Sequence, residues 1–149
     1  MIKYVIILFI SIFSLKCDPN DCEDLLCFTP PNPFQFEILD KNSAENLYVL
    51  GELSPNDVKV YESNSGVPRE FSFIEENGFN IISIHSIGWE TEKVELTLEL
   101  SKELLFTLYV EAKRTNENCC SFTKYNEITI QPFEYELNKS NDIYQVYIP

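Results

Sequence analysis

The sequence predicts an all-β fold, an antiparallel β-sandwich of immunoglobulin-like kind. Three observations predict it. Eight tyrosines, eleven phenylalanines and many isoleucines favour strands. Alanine, the best helix former, is scarce. Apolar residues recur at every second position in short segments spaced about a dozen residues apart, the pattern of half-buried strands in a two-sheet fold. No intervening helical periodicity points to parallel βαβ units.

The first sixteen residues read as a cleaved signal helix outside that fold. Lys3 supplies the positive start, and residues 4–15 are almost wholly apolar, broken by Ser11 and Ser14. A run of about twelve suits a signal-peptide core, whereas a membrane-spanning helix needs about twenty. Residues 17–33, CDPNDCEDLLCFTPPNP, form a polar and acidic leader. A helical turn is allowed at residues 21–27, and Thr29-Pro30-Pro31-Asn32-Pro33 favours extended backbone. Residues 34–149 are the β domain. About 130 residues after the signal suit one domain with a real core.

The strands follow in order. Residues 34–38 alternate through Phe34, Phe36 and Ile38, and residues 46–51 read as a second short strand. Ser54-Pro55-Asn56-Asp57 is a turn, followed by a strand at 58–61 with Val58 and Val60 inward. Asn64-Ser65-Gly66 turns the chain again. Residues 70–75 put Phe71 and Phe73 on one face. Asn77-Gly78 joins them to residues 79–85, because a type I′ hairpin turn needs positive φ at both central positions. The clearest alternation is 93–100, with Val94, Leu96, Leu98 and Leu100 inward and charged residues outward. Residues 104–114 repeat it with Phe106, Leu108, Val110 and Ala112. Segments at 119–122, 127–137 and 143–148 bring the total to roughly eight to ten strands.

Cys17 ends the apolar run. Signal peptidase prefers small residues before its cut, and Lys16 is not small. Cleavage directly before an acylated cysteine is the alternative, and Leu15 and Cys17 stand near the places a bacterial lipoprotein signal expects. Several acyl chains on one cysteine anchor stably, where a single chain binds only marginally. The cysteine count agrees. Of Cys17, Cys22, Cys27, Cys119 and Cys120, acylation of the first leaves four, which can pair completely. The competing reading makes Cys17 an ordinary disulfide partner.

In an oxidising compartment the other four are read as disulfides. Their spacing is not that of a zinc site. A Cys119–Cys120 bond is disfavoured by disulfide geometry. The two remaining connectivities, which stay open here, both pin the leader to the 119–120 segment. Neighbours on a strand point to opposite faces, so two such bridges would leave on different sides. Closing a loop of about ninety residues stabilises by roughly 4 kcal/mol in the chain-entropy model. A redox role would need an electropositive setting, and the nearby bases are Arg114 and Lys124.

The early Cys-x4-Cys, the Thr-Pro-Pro leader, Gly88-Trp89-Glu90 and Asn118-Cys119-Cys120 resemble those of an uncharacterised class of small Bacteroidota (flavobacterial-type) lipoproteins. The resemblance covers most of the mature chain. It implies a cell outer membrane location, surface exposure and the β fold; it carries no activity. The acids Asp18, Asp21, Glu23 and Asp24 have three readings. They resemble the export signal that sends such lipoproteins to the outer face. They could also form a calcium site, although the EF-hand spacing and its glycine are absent, or a solvated tether.

Composition excludes some functions. The chain carries a net charge of −13, and loss of Lys3 and Lys16 with the signal takes it to about −15. Such a surface repels nucleic acid, so no nucleic acid partner is expected. No Gly-x-Ser-x-Gly and no phosphate-cradling glycine loop is present among four glycines. His85, the single histidine, has no nucleophile motif beside it and reads as structural. Acids in the clear strands fall on the outward beat, as on a solvated face. No cofactor and no metal is called for. Trp89 either covers the end of the core or anchors a partner. Outward tyrosines, Tyr109 and Tyr61, form a binding stripe or ordinary cross-strand pairs. The expected function is a non-enzymatic, lipid-anchored envelope module, with an envelope protein or glycan as partner. The alternative is a small envelope enzyme or redox protein using the cysteines or paired carboxylates.

Overall fold

The structure is a computed structural model that describes residues 27–76, 78–117 and 120–149. The signal segment 1–16, Cys17, the acids Asp18, Asp21, Glu23 and Asp24, and Cys22, Asn77 and Cys119 lie outside the described residues. The described chain is mostly strand: β1 (Cys27–Phe28), β2 (Phe34–Asp40), β3 (Lys59–Glu62), β4 (Ser72–Glu76), β5 (Phe79–Ile84), β6 (Glu92–Glu99), β7 (Leu105–Glu117), β8 (Cys120–Gln131), β9 (Glu134–Asn138) and β10 (Ile143–Ile148). One sheet has the order β1-β8-β7-β6-β3, the other β4-β5-β2-β10-β9.

Alternation explains why the sheets face each other. Leu96, Leu98, Phe106, Leu108 and Val110 of the first sheet are fully buried, as are Phe36, Ile38, Ile82 and Val146 of the second. All belong to one hydrophobic cluster. Phe36 meets Phe106 edge to face across the layers, ring centres 5.6 Å apart, the geometry aromatic quadrupoles prefer. The outward beat of β6 carries Lys93, Glu95, Thr97 and Glu99, which keeps the other face polar. Lys59 and Glu99, directly opposite on β3 and β6, form an ion pair at 2.7 Å.

The sheets are not wholly antiparallel, which corrects the expectation. Six pairings are antiparallel, but β10 lies parallel to β2 and β1 parallel to β8. No hairpin joins either parallel pair, so no turn imposes their direction. Residues 46–51 do not make a strand. Asn46 forms one isolated bridge to Leu39, and its side chain accepts from the Tyr48 N–H at 2.9 Å. This local side-chain bond folds the backbone into a turn instead of a ladder. The segment expected at 127–137 breaks at Pro132, which has no N–H to give to a ladder. The chain changes sheets there, from β8 to β9. Part of the leader is also built in, since Cys27 and Phe28 pair with Cys120 and Ser121 as an edge strand.

The two longest strands position the site. β7 has thirteen residues and β8 twelve, against seven in β2 and six in β10. At about 3.3 Å per residue, the β7–β8 ribbon outruns the facing sheet by several residues. Burial on its inward beat fades accordingly: Ala112 is buried, Arg114 half-buried and Asn116 exposed.

The assigned faces make a direct prediction. Leu96→Ala should cost about 2–5 kcal/mol of stability by cavity formation. Glu95→Ala, one residue away on the solvent face, should stay within about 0.5 kcal/mol. Denaturant melts of both variants measure this, and equal costs would contradict the faces.

Candidate functional site

The overhang is where the leader, the β5–β6 loop and the β7–β8 ribbon meet. Cys27 is bonded to Cys120, joining residues 93 apart in sequence. The parallel register then sets Phe28 beside Ser121. The Thr29 N–H continues the ladder to the Ser121 carbonyl at 2.9 Å. Arg114 secures this arrangement. Its Nη1 donates to the Thr29 carbonyl and to Thr123 Oγ1, both at 2.9 Å, and its guanidinium lies 4.8 Å from the Phe28 ring centre. The other face of the cluster is Trp89, stacked on Phe28 at 5.9 Å and 24°. Trp89 is 51% exposed and Phe28 60% exposed, so together they make an open aromatic shelf.

The loop that presents Trp89 is fixed from several sides. Ile87 is buried in the core. Gly88 has φ +91°, and a Cβ there would stand 2.9 Å from both Thr123 Cγ2 and the Tyr125 hydroxyl. Only glycine supplies both the left-handed backbone and the close approach. The Gly88 N–H donates to Glu92 Oε1 at 2.6 Å, and the Thr123 hydroxyl donates to the Gly88 carbonyl. The Trp89 indole N–H donates to the His85 carbonyl at 2.8 Å. Tyr125 shares its one hydroxyl proton between the carbonyls of Asn32, at 3.2 Å, and Ile87, at 3.4 Å. It thereby ties the leader to the loop. Burial, then Tyr144 and Glu92, push the Tyr125 phenol up to about 12, against a lowering by Arg114.

The three candidate partner residues do not form one site. Tyr109 and Tyr61 lie on the outer face of the first sheet, away from the shelf. Tyr109 lines a shallow depression of about 270 Å³ with Glu95, Thr107, Glu127, Thr129 and Gln131. Tyr61 is further along, opposite Thr97 on β6. Glu111 and Glu127 stand directly opposite on this face, and Lys93 pairs with Glu111 at 3.1 Å. The Glu111 hydrogen bond, then its charge, hold the Lys93 ammonium above the usual lysine range.

Beside Trp89 a second depression, about 420 Å³, is lined by Glu70, Phe71, Ser72, His85 and Ser86. His85 Nε2 lies 3.1 Å from Ser83 Oγ and 3.3 Å from Ser72 Oγ. Ser72 and Ser83 oppose each other on β4 and β5, a placement the sequence did not reveal. Ser83 is fully buried, and no carboxylate is hydrogen-bonded to His85 among the described residues. A nucleophilic triad needs an orienting acid on the second ring nitrogen. Among the described residues no three His, Cys, Asp or Glu side chains gather as metal ligands would.

Sequence reasoning missed Phe28, and it named Arg114 only as a base near the cysteines. The signal for Phe28 was its place next to Cys27, since a bonded cysteine fixes its neighbour. Arg114 falls on the inward beat after Ala112, where a charge is out of pattern for a core. No protein-family model, no curated protein and no solved structure matches the chain.

Replacing Gly88 should test the loop. Gly88→Ala should destabilise by more than about 1 kcal/mol, through positive φ and the clash together. Gly66→Ala, at φ +69° with open space around it, should cost less. Thermal melts followed by Trp89 emission separate the two, and an indifferent Gly88→Ala would refute the packing described.

Proposed function

We propose that this chain is a lipid-anchored cell-envelope lipoprotein whose β domain serves a non-enzymatic binding or structural role. The observation that carries the reading is the weld between leader and domain: Cys27–Cys120, with Phe28 in contact with both Trp89 and Arg114. A leader that only preceded a free domain would have no use for such a joint. A leader that transmits attachment needs one. Cys17 is the acylated residue in this reading, exported and placed at the cell surface of the outer membrane.

The immunoglobulin-like form of the sandwich is supported by two five-stranded sheets on one core, with the first long strand closed on the last. Two hallmarks of antibody domains have no counterpart among the described residues. Trp89 is exposed, and Cys27–Cys120 joins neighbours within one sheet instead of bridging the two. The face offered to an envelope protein or glycan is the outer one, where Tyr109 lies among hydroxyl, amide and carboxylate groups suited to a hydroxyl-rich ligand. The enzymatic alternative draws less support. Cys120 is spent in a bridge, and His85 lacks an acid partner.

With Cys27 taken by Cys120, the pairing left to Cys22 is Cys119. Intact-mass measurement of the protein purified from its own membranes, before and after reduction and thiol alkylation, reads anchor and bridges together. The expected result is a mature chain starting at Cys17, heavier by its acyl groups, with no alkylation before reduction and four sites after it. An unmodified Cys17, or alkylation before reduction, would refute the anchored reading or the second bridge respectively.

A further inference from the structure

The free end of the β7–β8 ribbon differs from the rest of this acidic molecule. Lys113, Arg114 and Lys124 are three of the nine cationic side chains left after Lys3 and Lys16, from eleven in the chain. Lys113 and Lys124 stand directly opposite each other, both exposed. Like charges in that position are unfavourable unless something anionic offsets them, and Lys113 has no ion pair among the described residues. Glu117 pairs with Lys124 at 2.6 Å, and Lys124 also lies 5.1 Å from the Phe122 ring centre. The opposite face of the same ribbon carries the exposed Phe28–Trp89 stack. Exposed aromatics beside lysine and arginine are the composition that settles at a membrane–water interface.

The position of the tether decides which surface this end meets. The leader enters the fold at Cys27, bonded to the first residue of β8. Only ten residue-to-residue steps lead from Cys17 to Cys27, a reach of at most about 35 Å. A Cys22–Cys119 bridge would cut the path to five such steps, about 17 Å.

We propose that this end of the ribbon is a foot resting on the phosphate-bearing lipid headgroup layer of the membrane that holds the Cys17 anchor. Trp89 and Phe28 sit at interfacial depth, Lys113 meets lipid phosphates, and Lys124 shares its charge between Glu117 and the headgroups. The acidic body is repelled by the same surface, which keeps the molecule standing on its foot. The proposal rests on the anchored reading above.

Trp89 is the single tryptophan of the chain, so its emission reports the foot alone. The lipidated full chain is reconstituted in phosphatidylethanolamine–phosphatidylglycerol vesicles, with and without bromine on the acyl carbons nearest the headgroup. The expected result is co-sedimentation, a blue shift of Trp89 emission and its loss in the brominated vesicles. Cys17→Ala, remaining in the supernatant, sets the unquenched baseline. Lys113→Glu with Lys124→Glu should still co-sediment but lose the quenching. Co-sedimentation with solvent-like, unquenched emission overturns the foot and leaves the anchor standing. Failure of wild type to co-sediment overturns both, and quenching that survives the charge reversal overturns the role given to the lysines.

Discussion

Arg114 is the contact on which the rest of this molecule's organisation depends. It stands on the inward beat of β7 just past the point where the second sheet ends. A hydrophobic residue there would lie bare, and an unpaired charge would be costly. The guanidinium resolves this by serving two neighbours at once. Its planar donors satisfy the Thr29 carbonyl and Thr123 hydroxyl, and its face covers Phe28. Arginine suits this and lysine does not, because a rigid fork can donate in-plane while stacking out of plane. The stack is worth on the order of 1 kcal/mol. The neighbouring covalent bridge contributes roughly 4–5 kcal/mol in the chain-entropy model for its 93-residue separation. The bridge holds the leader near the sheet, and Arg114 determines how it lies.

The overhang itself follows from strand length. The second sheet can cover only as much of β7 and β8 as its own shorter strands reach. Beyond Ala112 the inward face needs other cover, and the chain supplies it from two directions. The β5–β6 loop brings Trp89, held by the Gly88 approach to Tyr125 and Thr123. The leader brings Phe28. Tyr125 then ties the two suppliers together through Asn32 and Ile87. The scattered motifs Cys-x4-Cys, Gly-Trp-Glu and Asn-Cys-Cys thus contribute Cys27, Trp89 and Cys120 to one place in the fold.

Much of the architecture was legible because one residue type at one period has one meaning. Val94, Leu96, Leu98 and Leu100 could be inward only in a strand, and all four are buried. The hairpin at residue 78 was equally plain, with Glu76 paired to Phe79 and Gly78 at φ +82°. The errors came where a side chain competes with the backbone. Asn46 turned an expected strand into a turn through its own hydrogen bond, and Pro132 ended a run that alternation alone would have carried on. Strand direction was not legible, because nothing local tells β10 which way to lie against β2. Of the site, Trp89 was visible as either core cover or partner anchor, but not its partners. Phe28 and Arg114 are 86 positions apart in sequence, and only the fold brings one over the other.

The leader belongs to the fold from Cys27 onward and is not a loose tether. Amide hydrogen exchange at Thr29 measures this most directly, since its N–H is bonded to the Ser121 carbonyl beside the bridge. The account predicts that in the oxidised protein Thr29 exchanges as slowly as the paired amides at the start of β8. Exchange at the rate of an open chain would show that the leader is not held, and the account would be wrong.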